Sequence, residues 1–190
     1  MGSKSSPTLI QALVIPLFIM IILMACTFRG VWIKNDKDST AYTKVKLSKM
    51  EVVTYNAEGA KRVEVAELKR YCDVDEKNIK CILYKGSKAT IGLTAVTLVL
   101  TAGAVVALLV PCVIEGSDCE EISTVAQAAL TALAAAFSFL AFVTYTSYSS
   151  DFRGDNYSLS TGWSLSLVSF IGISCLILPL SCVGVCVTIK

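Results

Sequence analysis

Four stretches without a single Asp, Glu, Lys or Arg, at 9–27, 90–114, 122–145 and 162–189, limit this chain more than anything else in it. Crossing the hydrocarbon core of a bilayer takes about 20 residues at about 1.5 Å each, and every one of the four is close to that length or longer. Gln11 and Gln127 are the only amides inside them. Helices buried in a soluble bundle would show a charged stripe towards water, and none of these does. An apolar share of 54% over 190 residues agrees. The sequence therefore predicts a membrane α-helical protein, a four-helix transmembrane bundle in which 1–190 form a single domain.

Between the first two stretches lies a polar loop, 28–89. Its residues from Arg29 to Lys88 hold 14 of the 17 Lys/Arg and 9 of the 15 Asp/Glu. Val45 and Leu47 alternate with Lys44, Lys46 and Ser48, the period of a half-buried strand, and Glu51–Tyr55 continues it past an irregularity at Lys49-Met50. Asn56-Ala57-Glu58-Gly59 reads as a tight turn, Arg62–Val65 as a further strand, and Ile82-Leu83-Tyr84 as a last short one. The expectation is a small antiparallel sheet of three to five strands, formed mainly by the first loop. Lys44, Lys46, Lys61, Arg62, Lys69 and Arg70 would give it a cationic contact face for acidic partners or anions. The plainer alternative is a solvated face that keeps the sheet soluble.

The chain has no His, no charge within a span, no CxxC pair and no glycine-rich phosphate loop. Catalysis loses its usual bases, and a pump or proton relay its intramembrane carboxylate or lysine. We expect no enzyme, no cofactor, no bound metal, no nucleic-acid partner, and no convergence of polar residues inside the bundle. Dense alanine in the third stretch, Ala126 to Ala136, allows close helix packing there.

Modification motifs are few. Met1-Gly2-Ser3-Lys4-Ser5-Ser6 fits the myristoylation pattern at Gly2, or is a flexible polar leader. The first stretch exceeds the usual 7–15-residue apolar run of a signal peptide, which favours a retained helix, and Pro16 should bend it. Asn156-Tyr157-Ser158 is the one N-x-[ST] sequon. Cys182 and Cys186, spaced i, i+4 near the last residue, are lipidation candidates or small apolar packing residues. Eight polar-rich residues separate Cys72 from Cys81, a spacing suited to a disulfide closing a hairpin if the loop faces outward; two free thiols are the alternative in a reducing compartment.

Trp32 shortly after the first span, Leu68 before Cys72, Cys81 nine residues on, and Gly162-Trp163 opening the fourth span resemble the claudin-like tetraspan superfamily. That group includes claudins, peripheral myelin and epithelial membrane proteins, and calcium-channel gamma subunits. Glu67 and Lys69 depart from it, standing where its motif has Gly and a second Trp. The resemblance implies a multi-pass plasma-membrane protein with cytosolic N- and C-termini and an extracellular sheet. It also implies contacts with membrane lipid and with either further copies or a larger membrane protein, as a junction and adhesion protein or as a channel's auxiliary subunit. The positive-inside rule points the other way, because seven Lys/Arg of the first loop lie within fifteen residues of the span ends.

Overall fold

A computed structural model describes residues 7–35, 41–55, 60–113, 117–153 and 157–188. The turn expected at 56–59, Gly2 and Asn156 lie outside them. Helix α1 (Pro7–Arg29) is assigned without a break through Pro16. The strands β1 (Ile33–Asn35), β2 (Ala41–Val45), β3 (Lys49–Tyr55) and β4 (Lys61–Glu67) follow, then a single turn of helix, α2 (Arg70–Val74). The long helices α3 (Ile79–Leu109) and α4 (Ser117–Arg153) come next. A two-residue strand, β5 (Ser158–Leu159), precedes the last span, which runs as α5 (Thr161–Ile171), a π-helical segment (Gly172–Ile177) and α6 (Leu178–Thr188). Among the described residues, four helical spans are long and apolar enough to cross a membrane, consistent with a multi-pass membrane protein.

Several expectations change. Residues 82–84 are helical, because α3 begins at Ile79 and not at the first charge-free residue, 90. Buried Leu83, Ser87, Thr90 and Thr94 repeat at helical spacing, which a three-residue apolar run cannot reveal. The run 45–55 is not one strand. Lys46 donates its amide to Lys49 O at 2.8 Å and the chain reverses there, with Leu47 turned into the core. Helix α4 outlasts its apolar stretch to reach Arg153.

The chain forms two compact units. One takes the residues up to Ala25, Thr94–Phe139 and those from Val168 onward. Its core is Leu13, Leu17, Met20 and Met24 of α1 against Ala104, Val105 and Leu108 of α3, Ala134 and Ala135 of α4, and Ile173 and Ile177 of the π segment. Ala and Gly at the contacts let backbones approach, the main source of cohesion where lipid supplies no hydrophobic drive. A Cβ on Gly172 would lie 2.6 Å from Met20 Cε. The π turns have a local cause. Pro179 lacks an amide, its ring would collide with the carbonyl four residues back, and widened turns relieve the clash. Leu178 N–H accordingly reaches Ile173 O, five residues away.

In the same unit, polar side chains do converge. Fully buried Gln127 donates through Nε2 to Thr131 Oγ1 at 3.1 Å and to Ser181 Oγ at 2.8 Å, tying α4 to α6. Both hydroxyls give their own protons to main-chain carbonyls, of Gln127 and Ile177, so they can only accept from the amide. Gln127 Oε1 is left without a partner. Hydrogen bonds between membrane helices contribute about 0.6–1.7 kcal/mol. Gln127→Leu is expected to lower stability by about that much, read from detergent unfolding, and no more, because it also removes the unsatisfied oxygen.

The second unit, Cys26–Leu93 with Leu140–Leu167, holds the sheet. Its strand order is β4-β3-β2-β1-β5, antiparallel throughout. One face, carrying Ile33, Val45 and Met50, packs on Leu83 of α3 and Tyr145 of α4 in a single buried cluster.

Candidate functional site

Trp32 ties the end of α1 to β2, to the segment before α5 and to α4. Its amide donates to Val45 O (2.8 Å), its carbonyl accepts from Ser160 N (2.9 Å), and its Nε1 donates to Thr27 O (2.9 Å). The indole is fully buried, with its centroid 4.3 Å from that of Tyr145. Gly162 N donates to Val31 O at 2.7 Å, and a Cβ on Gly162 would lie 2.5 Å from Trp32 Cδ1. Gly30 is closed in the same way, its added Cβ falling 2.7 Å from Gly162 Cα. Of the six residues that carry the family resemblance, Trp32, Leu68 and Gly162 thus belong to one packing problem, since Leu68 is fully buried in the Trp32 cluster. Trp163 donates from Nε1 to Thr146 Oγ1 at 3.1 Å, and its ring lies beside that of Phe142.

Cys72 and Cys81 are joined in a disulfide. It links α2 to the first turn of α3 and not two strands of a hairpin. Asn78 Oδ1 accepts the Lys80 amide at the start of α3, and Lys80 Nζ lies 4.3 Å from the Tyr71 ring centroid. Cys182 and Cys186 are both exposed on α6.

The cationic residues do not share one surface. Alternation along the registers puts Lys44 and Lys61 on the sheet face away from the core, with Tyr42, Val53 and Tyr55. Lys46 joins them, its Nζ bonded to Glu51 Oε1 at 2.6 Å. Arg62 points to the other side with Glu64, 3.0 Å away, and Lys69 and Arg70 belong to the turn into α2. Lys34 and Lys49, which the sequence reading did not single out, lie on the same face as Lys44.

At the far edge, β4 is exposed at every position but Ala66, including Val63 (47%) and Val65 (55%). Leu68 N–H bonds to Ser48 O, so the antiparallel alternation gives β3 the main-chain groups of Arg62, Glu64 and Ala66. Those of Lys61, Val63, Val65 and Glu67 point outward from the sheet.

Compared with protein-family models and with curated proteins, the chain matches none.

The geometry therefore stands alone. It offers a five-stranded sheet with a lysine-bearing outer face, whose edge strand β4 is partly apolar and has no outer neighbour among the described residues. Strand β5 was missed in the sequence because two residues are too few to show a period, and the close glycine contacts at 30 and 162 leave no local signal.

Proposed function

We propose that this is a non-enzymatic, claudin-like plasma-membrane protein, with both termini cytosolic, whose outward-facing sheet joins copies of the chain through β4. The free edge of β4 carries the reading: seven residues of strand, exposed on both faces, with unpaired main-chain direction and two exposed valines. Such an edge is a template for another strand. Antiparallel pairing centred on Val63 sets Arg62 opposite Glu64 of the second copy twice over. Pairing centred on Glu64 would instead oppose two carboxylates, which destabilises a sheet. The resemblance at Trp32, Leu68 and the Cys72–Cys81 pair supports the same class.

Cysteine cross-linking on intact cells tests it. Val63→Cys is expected to yield a reducible dimer, because each Val63 faces its own copy, whereas Glu64→Cys yields little. Dimer from Glu64→Cys but not Val63→Cys would assign the other register. A product joining Val63→Cys to a larger, different protein would replace self-association with an auxiliary-subunit role, and no product from either variant would sink the edge-pairing reading.

A further inference from the structure

We propose that Cys112, Cys119 and Cys186 are S-acylation sites, which carry long fatty-acyl chains at the membrane boundary of the first compact unit. Interface anchors are divided unevenly between the two units. Both Trp and all seven Tyr fall in the sheet unit, as do all Lys and Arg except Lys4 and Lys190. Those residue types are what normally hold a span end at headgroup level. The first unit has instead five of the six free cysteines. Its connection from α3 into α4 carries Glu115, Asp118, Glu120 and Glu121 without a base. On the cytosolic side these acids face anionic headgroups, which repel them. A thioester-linked chain supplies the missing hydrophobic attachment.

Depth selects among the thiols. Cys112 is exposed at the end of the single 3₁₀ turn (Val110–Cys112) that follows α3, and Glu115 lies three residues on. Cys119 is half-buried in the first turn of α4, next to Glu120. Pro111 leaves Ala107 O without a helical amide, and Ser123 Oγ donates to that carbonyl. The ends of α3 and α4 that bear Cys112 and Cys119 are thereby tied together. Cys186 is exposed on the last turn of α6, four residues before Lys190. Cys182 is one turn deeper, about 12 Å of helix from that charge, and Cys175 is deeper still. Chain connectivity puts the ends of α3 and α6 and the start of α4 on one side of a bilayer. The end of α1, with Cys26, falls on the other.

The chemistry is acyl exchange between two thiols. Each cysteine sulfur attacks the thioester carbonyl of a long-chain acyl-CoA on a membrane acyltransferase. A new thioester forms, and CoA leaves as the thiol with the cysteine's proton. The donor is cytosolic, so the assignment rests on the sidedness in the proposed function.

Acyl exchange on the full chain from cultured eukaryotic cells tests it. The protein is denatured, reduced and alkylated, then treated with hydroxylamine, which opens thioesters. Each freed thiol takes one maleimide-linked polymer and shifts the band by one step. The parent should show up to three steps, Cys112→Ser/Cys119→Ser/Cys186→Ser none, and Cys175→Ser/Cys182→Ser the parent pattern. Each of the three single Cys→Ser changes should remove one step, so the result does not depend on the triple variant folding. A cysteine whose replacement removes no step is not a site. No hydroxylamine-dependent step at all, or steps that persist in the triple variant, would overturn the assignment. A step lost only on Cys26→Ser would place the sheet in the cytosol and overturn the sidedness as well. Maleimide labelling of Cys72 and Cys81 on intact cells reads that sidedness without any acyl group, so the two failures are distinguishable.

Discussion

Gly162→Val is expected to dismantle the sheet unit while leaving the chain's apolar spans intact. Even a Cβ at this position would lie 2.5 Å from Trp32 Cδ1 and 2.7 Å from its Nε1, well inside contact distance. The indole has nowhere to retreat. It is fully buried, it donates to Thr27 O, and Tyr145 stands against it. The added methyls must therefore break the Trp32 anchor, at a cost comparable to deleting a buried aromatic, about 3–5 kcal/mol. Trp32→Ala should cost a similar amount by leaving a cavity between α1, β1 and α4. Gly162→Ala should already be damaging, because the collision begins at Cβ. Thermal unfolding in detergent, followed by tryptophan fluorescence, reads both effects. A Gly162→Val chain melting with the parent would mean that the loop before α5 moves freely, against the hydrogen bonds that Val31 O and Trp32 O accept there.

The second large effect concerns Cys72 and Cys81. Closing so small a loop restricts the unfolded chain by about 2–3 kcal/mol, so Cys72→Ser/Cys81→Ser should lose stability on that scale. The bridge also reports sidedness. With a membrane-impermeant maleimide on intact cells, an outward sheet should label at these two positions only after mild reduction. The remaining cysteines need replacement first, since several are exposed on the helices. Labelling only after permeabilisation would place the sheet in the cytosol, as the positive-inside rule prefers, and would end the claudin-like reading.

What was legible in the sequence was what burial in lipid makes unavoidable. A span cannot carry solvated charge, so its approximate limits stand out; a strand packed on one face alternates, so β3 and β4 could be seen. The cysteine spacing pointed to a bridge, although it braces two helices. Other features depend on partners remote in sequence. Residues 82–84 are apolar in any conformation, and only contacts with Tyr145 and Trp32 make the helical face of Leu83 visible. The clamp from Gln127 to Ser181 spans 54 residues, and neither residue announces it. Lys34 and Lys49 become neighbours of Lys44 and Lys46 only through strand registers that alternation alone does not specify. That grouping was invisible because it is made by pairing.

The fifth strand carries a consequence for how the protein is made. Ile33 pairs with Leu159 and Lys34 with Ser158, so β1 waits for residues that leave the ribosome more than a hundred positions later. Until the third loop emerges, a nascent chain has an open sheet edge at β1 and a tryptophan without the glycine it seats against. Completion of the sheet is therefore coupled to delivery of α4 and the loop after it. A chain stalled or truncated before residue 158 presents a hydrogen-bonding edge and an uncovered indole together, two features by which quality control can distinguish unfinished molecules from finished ones.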